Sequence, residues 1–180
     1  MESEAATLPV MRSKPGGAFP GEPLAFFLTF RCFGTWLPGD GRGWTDRRDR
    51  TSESAVRSEH PGLHSQAEAA MVQEPIVLGR SHRDSVEQAI RDVCDHRGWT
   101  LHALNVRTNH VHIVISAESS PEHVMTSLKA WCTRRLREAG LIGDGARLWS
   151  RHGSTRYLWR TEEFADACAY VLESQGPDLH

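Results

Sequence analysis

Two histidines separated by one residue, His110 and His112, stand at the start of the apolar, β-branched run HVHIVIS. Because successive side chains of a strand point to opposite faces, the two imidazoles are predicted to share one face, while Val111, Ile113 and Ile115 take the other. Two imidazoles on one rigid strand, with an apolar anchor behind them, suit a metal site. Alternating histidines also occur on solvated strands, so the spacing alone leaves that interpretation open.

A tyrosine on the last predicted helix is the second side chain that could do chemistry. The helix TEEFADACAYVLESQG is predicted to begin at a Thr161 cap and to end at Gly176. Tyr170 lies beside the apolar stripe of this helix, and a tyrosine in such a position is ordinarily a packed or half-exposed side chain. The stripe comprises Phe164, Ala167, Cys168, Val171 and Leu172.

Arginines and tryptophans are interleaved in the segment that follows the first predicted strand. Its sequence, GTWLPGDGRGWTDRRDR, is rich in Gly, Pro and Asp, which predicts a loop. The aromatic rings suit stacking on single-stranded bases, and the guanidinium groups suit phosphates. An equally open alternative is a surface loop whose tryptophans pack back onto the sheet. The candidate DNA-binding residues of this region are Arg31, Trp36, Arg42, Trp44, Arg47 and Arg48.

Positive charge is concentrated in one part of the chain, although the chain as a whole is slightly negative. The formal net charge is -2 at pH 7, yet residues 129–160 hold eight basic and two acidic side chains. Lys129, Arg134 and Arg137 are predicted on the exposed side of a helix, where they form a candidate phosphate-binding surface. A run of charges is also typical of an ordinary solvated face.

Hydrophobic periodicity predicts the elements that hold these side chains in place. Ser120 and Pro121 are typical of the start of a long helix. No role is assigned to residues 51–80. In chain order the predicted elements are a strand at 24–31, a short helix at 65–73, a helix from Ser81 or Asp84 to Gly98, strands at 99–106 and 110–116, a helix at 121–140, short strands at 148–149 and 155–159 around a turn at 152–153, and the last helix.

Length and composition predict one globular domain. The 180 residues suffice for a single core, with residues 1–22 predicted as a flexible leader and residues 23–180 as the domain. The longest apolar stretch after the leader is too short to cross a membrane. Four widely spaced cysteines without a C-x-x-C pair predict buried free thiols in a reducing cytoplasm, which is the expected location.

The chain resembles the HUH nucleases and, among them, the single-tyrosine transposases of the insertion-sequence-200-like family, which include the REP-associated tyrosine transposases. The similar segments are TNHVHIVI at 108–115, LAFFLTFRCFGTWLPGD at 24–40 and AYVLESQG at 169–176. The resemblance implies an α+β fold, in which a ferredoxin-like β-α-β-β-α-β antiparallel sheet is followed by a C-terminal helix that carries the nucleophilic tyrosine.

The resemblance also implies the chemistry of a transposase, in which Tyr170 cuts single-stranded DNA and holds it as a 5′-phosphotyrosine. Tyr157, in a strand-like segment, is the weaker candidate nucleophile. His110 and His112 would hold a divalent cation, Mg²⁺ or Mn²⁺, to neutralise the scissile phosphate, and Mn²⁺ accepts imidazole more readily. The covalent link stores the bond energy, consistent with the lack of a G-x-x-x-x-G-K loop for ATP.

One position departs from the pattern of the family, which places a third metal ligand, Gln or Asn, four residues after the tyrosine. That position is Ser174 here, with Gln175 one residue further on and Glu173 one residue before. Gln175 matches the residue type of the family and Glu173 has the better ligand chemistry, so Gln175 is the first candidate and Glu173 its rival. If neither reaches the ion, the enzyme is weakened or inactive.

Three functions are open on the sequence alone. The first is a metal-dependent transposase or nickase for single-stranded DNA with hairpin ends, acting as a monomer or a homodimer. The second is a domesticated, non-catalytic single-stranded nucleic-acid-binding protein, because the same sheet presents aromatic residues to single strands in RNA-recognition domains. The third is a metal-dependent phosphodiesterase that uses activated water and does not need Tyr170.

Overall fold

Four strands and four helices make up the described part of the chain. The computed structural model describes residues 21–44 and 57–173, so the predicted leader lies outside it apart from residues 21 and 22. The strands are β1 (Ala25–Cys32), β2 (Thr100–Val106), β3 (His110–Ser116) and β4 (Trp149–Leu158). The helices are α1 (Pro61–Ala69), α2 (Arg80–Arg97), α3 (Pro121–Glu138) and α4 (Thr161–Glu173).

The four strands form one antiparallel sheet in the order β2-β3-β1-β4. Apart from α1, which lies between β1 and α2, the chain runs β1-α2-β2-β3-α3-β4, and α4 follows. The predicted ferredoxin-like α+β fold is therefore confirmed. Because β1 and β3 are paired at the centre of the sheet, residues far apart in sequence become direct neighbours there.

One face of the sheet, here called the core face, packs against α2 and α3. From β3 it takes Val111, Ile113 and Ile115, which are all fully buried, as the alternation predicts. Close packing of these aliphatic and aromatic side chains holds the central pair of strands in place. Other members of this core include Phe26, Leu28 and Phe30 of β1, Val86 and Ile90 of α2, and Val124 and Leu128 of α3.

The opposite face, here called the site face, carries the polar side chains. Directly paired residues of antiparallel strands share a face. The register pairs Arg31 with His110 and Thr29 with His112, and on the other side of β1 it pairs Thr29 with Ser154. Helix α4 packs on part of this face through a second, smaller hydrophobic cluster.

Helix α2 begins earlier than predicted. Its N-cap is Gly79, whose carbonyl accepts a hydrogen bond from the Arg83 N–H at 3.0 Å, so the predicted caps Ser81 and Asp84 are wrong. Its predicted end at Gly98 is confirmed, since this residue has the left-handed conformation with φ 68°.

Helix α1 also lies earlier than predicted, whereas α3 begins where expected. The imidazole of His60 caps α1 by accepting from the Leu63 N–H at 3.0 Å, so the helix starts at residue 61 instead of 65. Ser120 caps α3 by accepting from the His123 N–H at 3.3 Å. Histidine is an uncommon cap, which is why composition alone did not predict the start of α1.

The predicted break in the last strand is wrong. Strand β4 is continuous, and Gly153 pairs with Phe30 instead of forming a turn. A Cβ atom at Gly153 would collide with the Thr29 carbonyl oxygen and the Met125 sulfur. Glycine is needed here because β1 and α3 approach the strand closely, and close approach is a common reason for glycine within a strand.

Cys32, Cys94 and Cys132 are buried free thiols, as predicted, while Cys168 is free but only half-buried. Burial raises the pKa of Cys32 to about 12.

Within residues 21–44 and 57–173, no helix has both the length and the apolar character needed to cross a membrane.

Candidate active site

His110 and His112 lie side by side on the site face of β3. Their ring centroids are 4.5 Å apart, and the ring planes make an angle of 75°. On β1 each has a directly paired neighbour, Arg31 for His110 and Thr29 for His112. The prediction that the two imidazoles share one face is therefore confirmed, and it follows from the regular alternation of β3.

A hydrogen bond at Nδ1 orients each histidine ring. Nδ1 of His112 lies 2.7 Å from the Thr29 hydroxyl, and Nδ1 of His110 lies 2.6 Å from the side-chain carbonyl oxygen of Asn109. Because an amide oxygen only accepts, this contact requires a proton on Nδ1 of His110. Partners of this kind orient metal-binding imidazoles in proteins. The donor chemistry therefore fits a divalent cation, which His110 and His112 would hold through ring nitrogens.

The surroundings of His112 keep it neutral. Only 8% of the residue is exposed, and burial is the main reason that its pKa is lowered to about 4. The positive charges of His110, Arg31 and Arg107 lower the pKa further. Since a metal ion binds the neutral imidazole, His112 is already in the form that a metal ion requires at pH 7.

Helix α4 places Tyr170 over the same face. The Tyr170 ring stands edge-on to His112, with centroids 5.6 Å apart, and edge-on to Phe27 at 6.0 Å. The residue is 44% exposed, so a ligand can reach it from solvent. Arg31, which pairs with His110 in the strand register, lies on the same face. The predicted nucleophile and both predicted metal ligands therefore face one region of the site face.

The position of α4 depends on a small apolar contact and on one hydrogen bond. Ala167 and Val171 are buried against the sheet. Asn105, which pairs with His112 in the strand register, donates through Nδ2 to the Val171 carbonyl at 2.9 Å. Leu172, which was predicted to belong to the apolar stripe, is 60% exposed, so that prediction is wrong.

The start of α4 differs from the prediction as well. The Arg160 carbonyl accepts a hydrogen bond from the Phe164 N–H at 3.0 Å, so Thr161 is the first helical residue and not the cap. The Glu163 carboxylate accepts from the N–H groups of Trp159 and Arg160 at 3.0 and 3.4 Å. These bonds satisfy backbone donors at the start of the helix, as the glutamate of a capping box does.

Tyr157 lies on the other side of the sheet. It pairs with Phe26, a residue of the core face, and the two rings meet edge-on at 5.4 Å. Its ring also stacks on Trp159 at 5.9 Å. Of the two tyrosines in the chain, Tyr170 is therefore the one that faces the histidines.

The third metal ligand is not identified by the described residues. Gln175, the first candidate, lies outside them, and Glu173 is the last residue inside them. In the part of the chain that the structure describes, no group of three or more His, Cys, Asp or Glu side chains is placed to hold a metal ion. The structure therefore does not join Glu173 to the two histidines, and the oxygen ligand stays a prediction.

The loop after β1 is organised around Trp36. The guanidinium groups of Arg31 and Arg42 lie 3.6 and 4.4 Å from the centroid of its ring. Its indole N–H donates to the Gly43 carbonyl at 2.7 Å, and Arg42 Nε donates to Asp40 at 2.8 Å. Trp36 is thus already stacked within the loop, while its contact with DNA stays a prediction.

The far end of this loop holds Trp44. Its indole N–H donates to the Ser58 carbonyl at 2.9 Å, and the Arg57 guanidinium lies 5.4 Å from its ring centroid. Arg47 and Arg48 lie outside the described residues. Their predicted contacts with DNA therefore stay predictions.

The basic residues of α3 form a separate surface. Lys129, Arg134 and Arg137 line a groove of about 490 Å³, and α3 packs on the core face, away from the histidines. Lys129 donates to the carbonyls of Ser150 and His152 at 3.0 and 3.1 Å, so it also ties α3 to β4. These three residues line one groove, but they are not part of the histidine site, and their contact with DNA stays a prediction.

The residues that orient the site were not predicted from the sequence. Thr29 and Asn109 hold the histidine rings, and Asn105 holds α4. One signal was present for Thr29, which is a polar side chain within the apolar run LAFFLTF. A polar residue in a buried strand needs a hydrogen-bonding partner. Nothing in the sequence indicates that this partner is His112.

A family model described as transposase, IS200-like, matches residues 72–166, which is more than half of the chain and includes both histidines but not Tyr170. Among solved structures, a candidate transposase from Deinococcus radiodurans R1 has 16% identity and a TM-score of 0.49, with 93% of this chain and 100% of that chain covered. A REP-associated tyrosine transposase bound to a REP hairpin has 14% identity and a TM-score of 0.44, with 82% of this chain and 63% of that chain covered. The comparison with curated proteins gives no match.

Proposed function

The chain belongs to the IS200-like transposase family, and we propose that it cuts and rejoins single-stranded DNA through a covalent link between Tyr170 and a 5′ phosphate. The observation that carries the proposal is the 5.6 Å separation of the Tyr170 and His112 rings on the face that also holds His110 and Arg31. A nucleophile, two imidazoles and a guanidinium thus face one region. A protein that only bound DNA would not need this combination.

In the proposed reaction the Tyr170 oxygen attacks the phosphorus of one phosphodiester. A bond from phosphorus to the tyrosine oxygen forms, the bond from phosphorus to the 3′ oxygen breaks, and the phenol loses a proton while the leaving 3′ oxygen gains one. Arg31 would bind the non-bridging oxygens of the phosphate, because a guanidinium matches their geometry. One phosphodiester is exchanged for another, so the reverse reaction rejoins DNA without ATP.

The two histidines have a separate task in the proposal. Mg²⁺ or Mn²⁺ bound by His110 and His112, with Gln175 or Glu173 as oxygen ligand, would neutralise and orient the phosphate. Asn109 and Thr29 would keep the imidazoles turned toward the DNA.

We propose single-stranded DNA with hairpin ends as the substrate. A hairpin is what the REP-associated tyrosine transposase holds in its structure. On this chain the support is the α3 groove, whose Lys129, Arg134 and Arg137 suit the phosphates of a duplex stem. A stem bound there would send its single-stranded flank across β4 to Tyr170.

The direct test is a denaturing gel of the protein incubated with labelled hairpin DNA from its genomic flanks. We expect a covalent protein-DNA band that needs Mg²⁺ or Mn²⁺, is lost in Tyr170→Phe, and persists in the matched control Tyr157→Phe. The same gel should show a strong loss in His110→Ala. Cleavage that persists in Tyr170→Phe would instead indicate a phosphodiesterase with water as the nucleophile.

A second candidate is the non-catalytic DNA-binding protein. It is favoured by one observation, that the described residues place no third His, Cys, Asp or Glu ligand beside the two histidines. Binding of the hairpin without any covalent band, at every metal concentration tested, would select this candidate. The Gln175→Ala and Glu173→Ala variants would then leave DNA affinity unchanged.

A further inference from the structure

A cleft of about 660 Å³ opens between residues 33–44, here called the loop segment, and strand β4. We call it the loop cleft. Its volume lies within the range of pockets that hold small organic ligands. Its lining includes Thr29 and Arg31 of β1, Trp36, Leu37 and Trp44 of the loop segment, and residues 150–154 of β4.

The loop cleft adjoins the candidate active site through two residues of β1. Thr29, which lines the cleft, is hydrogen-bonded to His112 at 2.7 Å. Arg31, which also lines it, pairs with His110 across the strands, and the His112 ring meets the Tyr170 ring edge-on at 5.6 Å. The side chains of Thr29 and His112 therefore connect the cleft to the proposed nucleophile.

The charges of the loop cleft suit a nucleic acid. Arg31, Arg42 and Arg151 line it, and none of the described lining residues is acidic. Asp40 lies behind this lining, where Arg42 pairs with it and the Arg42 hydrogen bond lowers its pKa to about 2. The cleft therefore presents positive charge around apolar surface, the combination that binds single-stranded nucleotides.

The wall of the loop cleft is already ordered. Trp36 is fixed by two guanidinium groups and by its bond to the Gly43 carbonyl. A preformed wall avoids the entropic cost of ordering a loop around the ligand. Two guanidinium groups lie within 4.4 Å of the Trp36 ring centroid, whereas the Arg57 guanidinium lies 5.4 Å from that of Trp44. The surfaces proposed for a base are therefore those of Leu37 and Trp44, with the exposed Ser154 also lining the cleft.

We infer that the loop cleft binds one unstacked base of the DNA strand, immediately beside the phosphate that Tyr170 attacks, and that it thereby fixes the position of the cut. The inference rests on the proposed function and adds to it a base-binding subsite. In this inference the loop cleft binds a single nucleotide, and the duplex stem binds in the α3 groove.

The test combines changes in the DNA with changes in the cleft. An abasic residue is placed in turn at each single-stranded position near the cut, and the rate of covalent adduct formation is measured. Ser154→Trp fills the cleft, Leu37→Ala removes part of its apolar wall, and Ser81→Trp places the same indole on α2, outside the cleft. Circular dichroism of each variant checks that the protein is folded.

One abasic position is expected to slow the wild-type protein about tenfold, because a bound base contributes this much through its ring contacts. Ser154→Trp and Leu37→Ala should be slow on intact DNA and insensitive to the same abasic position, while Ser81→Trp behaves as wild type. If no position matters, or if both cleft variants keep the wild-type sensitivity, the inference is overturned. Should Ser154→Trp fail to fold, Leu37→Ala decides alone.

If the proposed function is wrong, the experiment gives a different result. The wild-type protein would then form no covalent adduct on any DNA. Fluorescence anisotropy with the same oligonucleotides would still test the cleft. A loss of affinity of about tenfold at one abasic position, present in wild type and absent in Leu37→Ala, supports the subsite, and equal affinities for all oligonucleotides reject it.

Discussion

The hydroxyl of Thr29 lies 2.7 Å from Nδ1 of His112, and this bond joins β1 to the centre of the candidate active site. It is a contact between side chains 83 residues apart in sequence. Since burial holds the pKa of His112 near 4, the hydroxyl meets a neutral ring and sets which nitrogen is presented to a metal ion.

Replacing this hydroxyl should weaken metal binding without unfolding the protein. Thr29→Val keeps the shape of the side chain but leaves Nδ1 of His112 without its partner, so we expect Mn²⁺ affinity to fall by about 10- to 100-fold. Thr29→Ser is the matched control and should retain affinity near that of wild type. Electron paramagnetic resonance of Mn²⁺ measures both. Equal Mn²⁺ affinities in Thr29→Val and wild type would show that the hydroxyl has no orienting role.

The bond from Asn105 to the Val171 carbonyl should control the placement of Tyr170. Asn105→Leu removes this bond at a half-buried position, and we expect a loss of about 1 kcal/mol in the free energy of unfolding. Amide hydrogen exchange should rise in α4 more than in α3, and covalent adduct formation should slow while Mn²⁺ affinity stays constant. Thr100→Val, at an exposed position of the same strand, is the control. Uniform exchange throughout the variant would mean that Asn105 does not hold α4 specifically.

The arrangement of the central strands could be predicted because it depends on local alternation. His110, His112 and the valine and isoleucines between and after them occupy the predicted faces, since a regular strand leaves no other choice. The predicted starts of α1 and α2 were less accurate, because the N-cap residues of these helices are unusual. Gly79 and His60 cap helices here without the side chains that ordinarily indicate a start.

The partners of the site residues could not be predicted, because they come from other elements. Arg31 and Thr29 were visible as residues of the first strand, but their pairing with His110 and His112 depends on the register of β1 with β3. Gly153 illustrates the same limit. A glycine among polar residues is typical of a turn, and only the packing of Met125 shows that it serves a close approach instead.

Gly153 should therefore be intolerant of even a methyl group. A Cβ atom there meets the Thr29 carbonyl oxygen and the Met125 sulfur, so Gly153→Ala is expected to lower the free energy of unfolding by about 1 to 3 kcal/mol. Gly145→Ala is the matched control, because an added Cβ there meets nothing within 4 Å. Urea denaturation of both variants gives the comparison. A turn at Gly153 would instead allow alanine at little cost.

The pairing of Asp40 with Arg42 predicts a pH-dependent contribution to stability. The hydrogen bond from Arg42 is the main reason that the Asp40 pKa falls from 3.8 to about 2 in the folded protein. Because the folded pKa is lower than the unfolded pKa, the contribution is complete above about pH 4 and is lost as the pH falls toward 2. At neutral pH it should be on the order of 1 kcal/mol, since each pKa unit corresponds to about 1.4 kcal/mol and solvent around the half-exposed Arg42 screens part of the interaction.

Asp40→Asn removes this contribution and should be less stable than wild type at neutral pH by that amount. The difference should shrink as the pH falls through about 3, because wild-type Asp40 then becomes protonated. Urea denaturation followed by tryptophan fluorescence, repeated from neutral to acidic pH, measures the difference, and Asp84→Asn on α2 controls for the loss of one negative charge. If the difference in the free energy of unfolding between Asp40→Asn and wild type were the same at every pH, the lowered pKa of Asp40 would not be the source of the stability. The ordered arrangement of Trp36 and Arg42 would then depend on other contacts.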